Sequence, residues 1–354
     1  MGWRLGEFDR IERYFRPLSA GYEGSLALGD DAAILAAVDE QRVVTTDTMV
    51  EGTHFLAGSD PHLLAQKLLR VNLSDLAAMG AKPECYFLNL TLPPRIDETW
   101  LQAFSEGLER DQTTFGCHLA GGDSTSTPSA STQSGNARSS NAQAAPDGQL
   151  TMTITMIGQV APGQALRRAG AKPGDAVLVT GVVGDGLLGL LGAMGGLGLL
   201  QPAMRDALIK RYNLPNPRVR TGQMLWQHGV RAATDVSDGL LADLGHICRA
   251  SNVQARLLVA QLPFSKPARA AIEGGYLDAA TLAGGGDDYE LIFTIPKASV
   301  DGLLKAIGED PTLGGATVIG EIIEVAATQP LVALYDEQGN PVSAPTKGWQ
   351  HGQD

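Results

Sequence analysis

Hydrophobic and polar positions recur along the chain with the periods of both strands and helices. Residues 150–160 alternate threonine with methionine and isoleucine, which is the two-residue period of a strand with one buried face. Asp60-Pro61 followed by apolar residues at helical spacing predicts a helix that ends at Gly80, and Asp97 caps a second predicted helix. Short apolar runs bounded by turn residues predict further strands over 85–92, 176–180 and 291–295.

Acidic residues mark the ends of the strands predicted near the N-terminus. Gly29-Asp30-Asp31 opens an apolar run over 32–38, and a second run over 42–45 ends at Asp47. Carboxylates gathered there repel by about 4 kcal/mol at ~4 Å and an effective dielectric constant of about 20, so a cation must lie among them. Oxygen-only ligands suit Mg²⁺ or Mn²⁺ rather than Zn²⁺. A single Asp in such a turn is more often a turn former or a helix cap.

Aspartates in similar small-residue settings recur later in the chain. Asn72 and Asp75 are three residues apart and share one face of the predicted helix. Two glycines before Asp123 allow the backbone to approach a ligand such as a phosphate closely. Asp238 stands where it can cap the helix that follows, a role that leaves Asp235 unexplained.

Length and charge narrow the function classes. A chain of 354 residues predicts about two domains. Hydrophobic residues make up 44% and charged residues 19%, which excludes wholesale disorder. The net charge of -12 argues against a nucleic-acid partner, which requires a basic face. An acidic enzyme still binds phosphates when metal ions mediate the contact.

The three cysteines, Cys85, Cys117 and Cys248, are odd in number and widely spaced, which predicts neither a disulfide framework nor a zinc site. The first 16 residues lack the apolar core of a signal peptide. The longest apolar stretch, 186–200, is too short and too rich in glycine to span a membrane. We therefore expect a soluble, cytoplasmic protein.

A domain boundary near 161–163 divides the chain into residues 1–160 and 161–354. Residues 124–148 are small and polar without periodicity, and this predicts a disordered insertion. The predicted strand 176–180 runs into a glycine-rich turn and an apolar helix, an arrangement that presents backbone N–H groups to an anion. The turn matches neither the Walker A nor the dinucleotide-binding pattern, and close packing of helix on strand explains the glycines equally well.

Six motifs in order resemble those of the thiamine-monophosphate kinases, a family in the superfamily of aminoimidazole ribonucleotide synthetase and selenide water dikinase. The resemblance covers nearly the whole chain outside 124–148. The motifs are Gly29-Asp30-Asp31-Ala32-Ala33, Thr45-Thr46-Asp47 with Glu51-Gly52-Thr53-His54-Phe55, the run 72–80, Gly121-Gly122-Asp123, the run 235–240, and the run 285–291.

The resemblance implies an α/β (α+β) fold of two domains, like that of aminoimidazole ribonucleotide synthetase, with mixed sheets and helices packed on one side. Residues 1–160 would bind ATP and Mg²⁺ and form a homodimer through a β-barrel-like interface. Residues 161–354 would complete the nucleotide and substrate site.

The resemblance also implies a role for individual positions. The implied Mg²⁺ ligands are Asp30, Thr45, Thr46, Asp47, Asp75, Asp123, Asp235 and Asp238. The implied ATP contacts are Gly122, Asp123, Arg168 and Ser237. The implied contacts with thiamine monophosphate are His54, Asp287 and Trp349, and Asp287 stands where the family usually has Glu. No catalytic residue is expected beyond the metal ligands.

The implied reaction is Mg²⁺-dependent transfer of the γ-phosphoryl group of ATP to thiamine monophosphate, giving thiamine diphosphate and ADP without a phospho-enzyme. The alternative within the superfamily is a hydrogenase maturation factor or a selenide water dikinase. The latter would need a reactive Cys near the N-terminus, and the first 84 residues contain none. A metal-binding regulatory protein and a metal phosphohydrolase are the alternatives from other classes.

Overall fold

The computed structural model describes residues 7–28, 32–127, 148–326 and 330–344. The chain forms two compact units. The N-terminal unit comprises Met1–Asn72 and Pro83–Gln159, and the C-terminal unit comprises Leu73–Lys82 and Val160–Asp354. Both contain a β-sheet with helices, in agreement with the predicted α/β class.

Among the described residues, the first half of the chain forms three α-helices and a four-stranded sheet of order β1-β4-β2-β3. The helices are α1 (Glu7–Arg10), α2 (Pro61–Ala78) and α3 (Glu98–Phe115). The strands are β1 (Gln41–Val50), β2 (Lys82–Leu92), β3 (His118–Ser126) and β4 (Thr151–Val160).

One face of this sheet is buried against the helices. Helix α3 begins where the Asp97 side chain accepts the Trp100 N–H, as the sequence predicts, and it ends at Gly116 in the left-handed conformation. The Tyr86 hydroxyl on β2 donates to the Gln112 side chain on α3 at 2.6 Å, and both residues are buried. The alternating buried residues of β2 and β4 supply the rest of this face.

The opposite face of the same sheet is polar over much of its area. The hydroxyls of Thr46 and Thr155 lie 3.0 Å apart, and those of Thr48 and Thr153 lie 2.8 Å apart. These contacts run in opposite directions along β1 and β4, which is the order of an antiparallel pair. Val44 is 62% exposed on this face. We call the face that carries these threonines the threonine face.

Two boundaries in this half of the chain differ from the predictions. The apolar run over 32–38 is not a strand. Strand β1 extends from Gln41 to Val50 because its alternating residues continue to pair with β4 beyond position 45. Asp47 therefore lies inside a strand and not at its end. Strand β3 continues through Ser126, so the first residues of the predicted insertion 124–148 are ordered, and residues 128–147 lie outside the described part.

The second half of the chain forms seven strands and seven helices among the described residues. The strands are β5 (Asp175–Thr180), β6 (Ala232–Asp235), β7 (Gln254–Leu258), β8 (Leu291–Pro296), β9 (Ala316–Ile323), β10 (Val332–Tyr335) and β11 (Pro341–Val342). The helices are α4 (Asp185–Ala193), α5 (Pro202–Asn213), α6 (Val219–Leu225), α7 (Leu240–Ser251), α8 (Lys266–Glu273), α9 (Ala279–Ala283) and α10 (Val300–Glu309).

These strands form one mixed sheet of order β11-β10-β7-β9-β5-β8-β6. Strands β10 and β7 are parallel, whereas β8 is antiparallel to both β5 and β6. The main core lies between this sheet and α7, through residues such as Leu244, Ile247 and Ile292. Strand β6 is an edge strand, and its carboxyl end carries the aspartates that the sequence singles out. Among the described residues, no helix is both long enough and apolar enough to cross a membrane.

Candidate active site

Strand β6 ends at Asp235, a carboxylate that is only 4% exposed. The Ser74 hydroxyl donates to Asp235 Oδ2 at 2.7 Å. Ser74 belongs to the last turns of α2 and directly precedes Asp75. The structure thus joins Asp235 to the residue before the predicted ligand Asp75, 161 residues earlier in the chain.

The segment 235–239, which we call the β6 turn, is fixed by backbone hydrogen bonds from the segment 286–290. The Asp287 N–H donates to the Ser237 carbonyl at 2.9 Å, and the Tyr289 N–H donates to the Val236 carbonyl at 2.8 Å. A side chain at Gly286 would place its Cβ 2.3 Å from the Ser237 oxygen, so only glycine permits this approach. Asp287 itself has a φ of 67°, a left-handed conformation that Asp tolerates better than most residues.

Asp243 on the first turns of α7 holds the β6 turn from the other side. Its Oδ2 accepts the N–H groups of Ser237, Asp238 and Gly239 at 3.0, 3.0 and 3.1 Å. Burial, and then the neighbouring Asp238 charge, raise the pKa of Asp243 to about 7. Gly239 occupies the N-cap position of α7 without a side-chain cap hydrogen bond, so the predicted capping role of Asp238 is wrong. Asp243 instead holds the N–H groups of the turn that precedes the helix.

Cationic and imidazole groups border the same turn. The ligand atoms of Asp238, Asp243 and His246 lie within 4.8 Å of one another. Arg168 Nε donates to the Thr234 hydroxyl on β6 at 3.3 Å. Burial, and then the charges of Arg168 and Arg249, lower the pKa of His246. Arg168 is thus brought to β6, where a phosphate bound at the turn would be within reach of a long guanidinium side chain.

Two N–H groups of the glycine-rich turn before α4 are taken by a side chain of the protein itself. Asp288 accepts the Gly184 N–H at 2.6 Å and the Gly186 N–H at 2.9 Å, and it is fully buried. Burial raises the pKa of Asp288 to about 8, although both N–H groups act against that shift. The chain therefore fills this helix N-terminus with its own carboxylate, and an anion at the turn is not supported.

Glu290 stabilises the segment that carries Asp287 and Asp288. It is fully buried and accepts hydrogen bonds from Arg218 Nε at 2.6 Å, Arg211 Nη2 at 2.6 Å and the Thr180 hydroxyl at 2.6 Å. The two arginines provide hydrogen-bond donors to both oxygens of the Glu290 carboxylate. They thereby fix the position of the backbone segment that carries Asp287.

The predicted ligands of the N-terminal unit are distributed differently. Thr45, Thr46 and Asp47 are consecutive in β1, so Thr46 projects from the threonine face and its two neighbours project from the opposite face. Asp123 on β3 pairs in register with Asn89, and both are exposed. Strands β1 and β3 are the two edges of this sheet, with two strands and roughly 14 Å between them.

The remaining predicted contacts are also placed on recognisable elements. Gly122 has a φ of 151°, and a Cβ there would lie 1.9 Å from the Leu88 oxygen, so β2 approaches β3 too closely for a side chain. His54 Nδ1 accepts the Val50 N–H at 3.0 Å, which places the proton of the neutral ring on Nε2. Asp30 and Trp349 lie outside the described residues.

The structure therefore gathers one subset of the predicted residues around the β6 turn of the C-terminal unit. That subset is Arg168, Asp235, Ser237, Asp238 and Asp287, and Asp75 directly follows Ser74, whose hydroxyl contacts Asp235. The side chains of Asp75, Asp235 and Asp238 offer only carboxylate oxygens as metal ligands. Oxygen ligands of this kind fit a hard cation such as Mg²⁺. Sequence reasoning did not single out Asp243, His246 or the contact made by Ser74. The only sequence signal for Asp243 is its place in the first turn of a predicted helix.

Two family models match most of the chain. Residues 29–160 match the AIR synthase related protein, N-terminal domain, and residues 172–331 match the AIR synthase related protein, C-terminal domain. A thiamine-monophosphate kinase of Escherichia coli K12 is 41% identical over 349 residues, with 98% of each chain covered. The chain belongs to the thiamine-monophosphate kinase family.

Other members of this family match over similar lengths. A thiamine-monophosphate kinase of Caulobacter vibrioides is 36% identical, with 98% of this chain and 91% of that protein covered. The crystal structure of the thiamine-monophosphate kinase from Stenotrophomonas maltophilia K279a is 36% identical, with a TM-score of 0.77 and 96% and 98% of the two chains covered. A structure described as AaThiL complexed with AMPPCP and TMP is 27% identical, with a TM-score of 0.72, and covers 98% of this chain and 97% of that one.

The hydrogenase maturation protein HypE of Escherichia coli has the same fold, with a TM-score of 0.75 at 19% identity. That likeness concerns the fold alone. The two-domain fold that the sequence resemblance implies is therefore confirmed, and the comparisons place the chain among the thiamine-monophosphate kinases.

Proposed function

We propose that this chain phosphorylates thiamine monophosphate with ATP, giving thiamine diphosphate and ADP. The observation that carries the proposal is the identity of 41% to a thiamine-monophosphate kinase over 98% of both chains. The complex of a related protein with AMPPCP and TMP supports a site for a nucleotide and a second ligand. The cluster of carboxylates, Ser237 and Arg168 at the β6 turn supplies groups of the kind that phosphoryl transfer requires.

Mg²⁺ is part of the proposal. Asp75, Asp235 and Asp238 would hold it in the C-terminal unit, and bound Mg²⁺ neutralises charge on the transferring phosphoryl group. Arg168 would pair with a phosphate of ATP, and Ser237 would contact the same nucleotide. Thr45, Thr46, Asp47, Gly122 and Asp123 remain predictions for the ligands and nucleotide contacts of the N-terminal unit, and Asp30 remains one outside the described residues.

The chemistry of the acceptor phosphate determines what the proposed substrate-binding residues must do. The acceptor is a phosphate whose second pKa is near ~6, so it is a dianion at neutral pH and needs no general base. The transfer is therefore a direct in-line displacement: the acceptor oxygen forms a bond to the γ-phosphorus, and the bond to the β–γ bridging oxygen of ATP breaks. His54 would donate its Nε2–H to the acceptor phosphate, because Nδ1 already accepts the Val50 N–H. Asp287 and Trp349 complete the proposed substrate contacts.

A homodimer is proposed from the N-terminal unit. Its sheet has two edge strands and a polar face with Val44 62% exposed. Two copies that close into one barrel would pair both edges of each sheet, and barrels remove exposed strand edges in this way. A location in the cytoplasm remains a prediction from the sequence.

Product analysis tests the proposal most directly. The protein is mixed with ATP, Mg²⁺ and thiamine monophosphate, and the products are separated by chromatography. Thiamine diphosphate formed in equal amount to ADP is the expected result. ADP with free phosphate would instead indicate a phosphohydrolase, and an absence of ADP would indicate a binding protein. Inversion of configuration at the γ-phosphorus would further exclude a phospho-enzyme.

A further inference from the structure

The β6 turn carries Ser237 and Asp238, two residues of the proposed site, and a single buried carboxylate outside that set determines its backbone. Asp243 is only 2% exposed, and one of its oxygens accepts three consecutive N–H groups of the turn. Buried N–H groups require a hydrogen-bond partner, and a single Asp243 oxygen supplies one to all three.

The carbonyl groups of the same turn are held independently. Asp287 and Tyr289 donate to the carbonyls of Ser237 and Val236. Asp243 thus binds the N–H groups of the turn, and the segment 287–289 binds its carbonyl groups. The backbone of the turn therefore has hydrogen-bond partners for both kinds of group. Such a backbone is ordered before any ligand binds, and preorganisation of this kind raises affinity because less ordering is needed upon binding.

We infer that Asp243 is a positioning residue, whose carboxylate holds Ser237 and Asp238 in the conformation that binds the magnesium–nucleotide complex. The inference rests on the function proposed above. Asp243 acts through the backbone of the turn, and its Oδ2 is already used by three donors.

A helix cap alone would explain the same contacts, so the test must separate the two roles. A cap stabilises the helix, and its loss lowers the melting temperature without a specific effect on ligand binding. A positioning residue also changes affinity, since partners that orient metal ligands typically contribute about 10–100-fold to metal affinity or activity.

Asp175 offers a matched control in the same unit. It is also 2% exposed, it accepts the Lys172 N–H at 2.9 Å, and it is paired with Arg231 at 3.1 Å. Asp175 lies opposite Pro296 on β8, whereas Asp235 lies opposite Leu291. The two sites are therefore five residues, or roughly 17 Å, apart along one strand.

The experiment compares Asp243→Ala, Asp243→Asn and Asp175→Ala by calorimetric titration with AMPPCP in the presence of Mg²⁺. We expect Asp243→Ala to weaken affinity about tenfold or more, because it removes the oxygen that accepts the three N–H groups. Asp243→Asn keeps an acceptor oxygen at the same distance from the backbone and should retain most of the affinity. Asp175→Ala should lower the melting temperature without changing affinity. Equal affinity in wild type and Asp243→Ala, or an equal loss of affinity in Asp175→Ala, would overturn the inference.

Amide hydrogen exchange of the wild-type protein supplies a second readout that does not depend on the folding of a variant. Protection of the Ser237, Asp238 and Gly239 amides in the ligand-free protein is the expected result. Amides that become protected only with AMPPCP and Mg²⁺ would contradict a prearranged turn. If the wild type binds AMPPCP but forms no thiamine diphosphate, the proposed substrate is wrong, whereas the role of Asp243 is still decided by affinity and exchange.

Discussion

The threonine face of the N-terminal unit and the β6 turn of the C-terminal unit both carry predicted site residues, but they hold them in different ways. Thr46 and Thr155 meet on an exposed surface, and the strands of Asp47 and Asp123 form opposite edges of one sheet. At the β6 turn, Asp235 is buried and receives a hydroxyl hydrogen bond from Ser74.

The difference reflects how each polar group is satisfied. An exposed polar group can replace a protein hydrogen-bond partner with water at little cost in free energy. The predicted ligand residues on an open sheet can therefore lie apart without destabilising the fold. A buried carboxylate needs designated donors, and the donors in turn fix its position. We therefore expect the β6 turn to depend more on its buried partners than the threonine face does. Four predictions test this contrast, from the largest expected effect to the smallest.

Glu290→Gln should cause the largest loss of stability, about 3–5 kcal/mol, because it leaves the partly buried Arg211 and Arg218 without their shared, fully buried carboxylate. Urea unfolding measures the change. Glu321→Gln removes the exposed partner of Lys297 and should alter stability by less than about 1 kcal/mol. Similar losses in the two variants would show that the segment 286–290 is not held by this ion pair.

Asp235→Asn should lower kcat/KM for thiamine diphosphate formation by about 100-fold or more, because it removes one of the carboxylates that we propose to hold Mg²⁺. The thermal stability of the ligand-free variant should not fall by a comparable amount, since a neutral amide keeps the size of the buried side chain. Stabilisation by AMPPCP and Mg²⁺ should disappear in a thermal shift assay. Wild-type turnover in this variant would remove Asp235 from the site.

Asp288→Asn tests the buried carboxylate that fills the start of α4. Burial raises the pKa of Asp288 to about 8, above its value in the unfolded chain. Its contribution to stability is therefore fully present below pH ~4 and is lost as the pH rises towards ~8, with a slope of at most about 1.4 kcal/mol per pH unit. The stability of wild type relative to Asp288→Asn should fall between pH 5 and pH 8.

The matched variant Asp278→Asn should show the opposite sign. Hydrogen bonds from Thr281 lower the pKa of Asp278, so its contribution is present above the unfolded pKa and lost as the pH falls. A stability difference for Asp288→Asn that is constant over pH 5–8 would mean that Asp288 is ionised throughout.

Ser74→Ala and Thr155→Val should give the smallest effects and compare the two regions directly. Loss of the buried Ser74 hydroxyl from Asp235 should cost about 1–3 kcal/mol of stability or of transition-state binding. Loss of the exposed Thr155 hydroxyl should change stability by less than about 0.5 kcal/mol. A double-mutant cycle with Asp235→Asn isolates the interaction energy between Ser74 and Asp235. Equal effects of Ser74→Ala and Thr155→Val would show that the two regions do not differ in this respect.

Much of the local structure could be predicted from the sequence. The alternation over 150–160 and the Asp60-Pro61 and Asp97 caps indicate β4, α2 and α3 with boundaries close to those observed. These signals are local, because a cap or a two-residue period depends on neighbours within one turn or one strand. The ordered motifs also sufficed to indicate the family and its two-domain fold.

Tertiary structure decided what the local pattern left open. Asp47 lies within a strand because β1 pairs with β4, and the pairing partner is more than 100 residues away. Asp288 accepts the Gly184 N–H in the glycine-rich turn, and Asp243 accepts the N–H of Gly239, which occupies the N-cap position that the sequence assigns to Asp238. Each outcome depends on which buried carboxylate reaches a given set of N–H groups, and only the packed chain determines that distance. The sequence by itself therefore determined the elements, the family and the candidate residues, whereas the fold determined which of them meet.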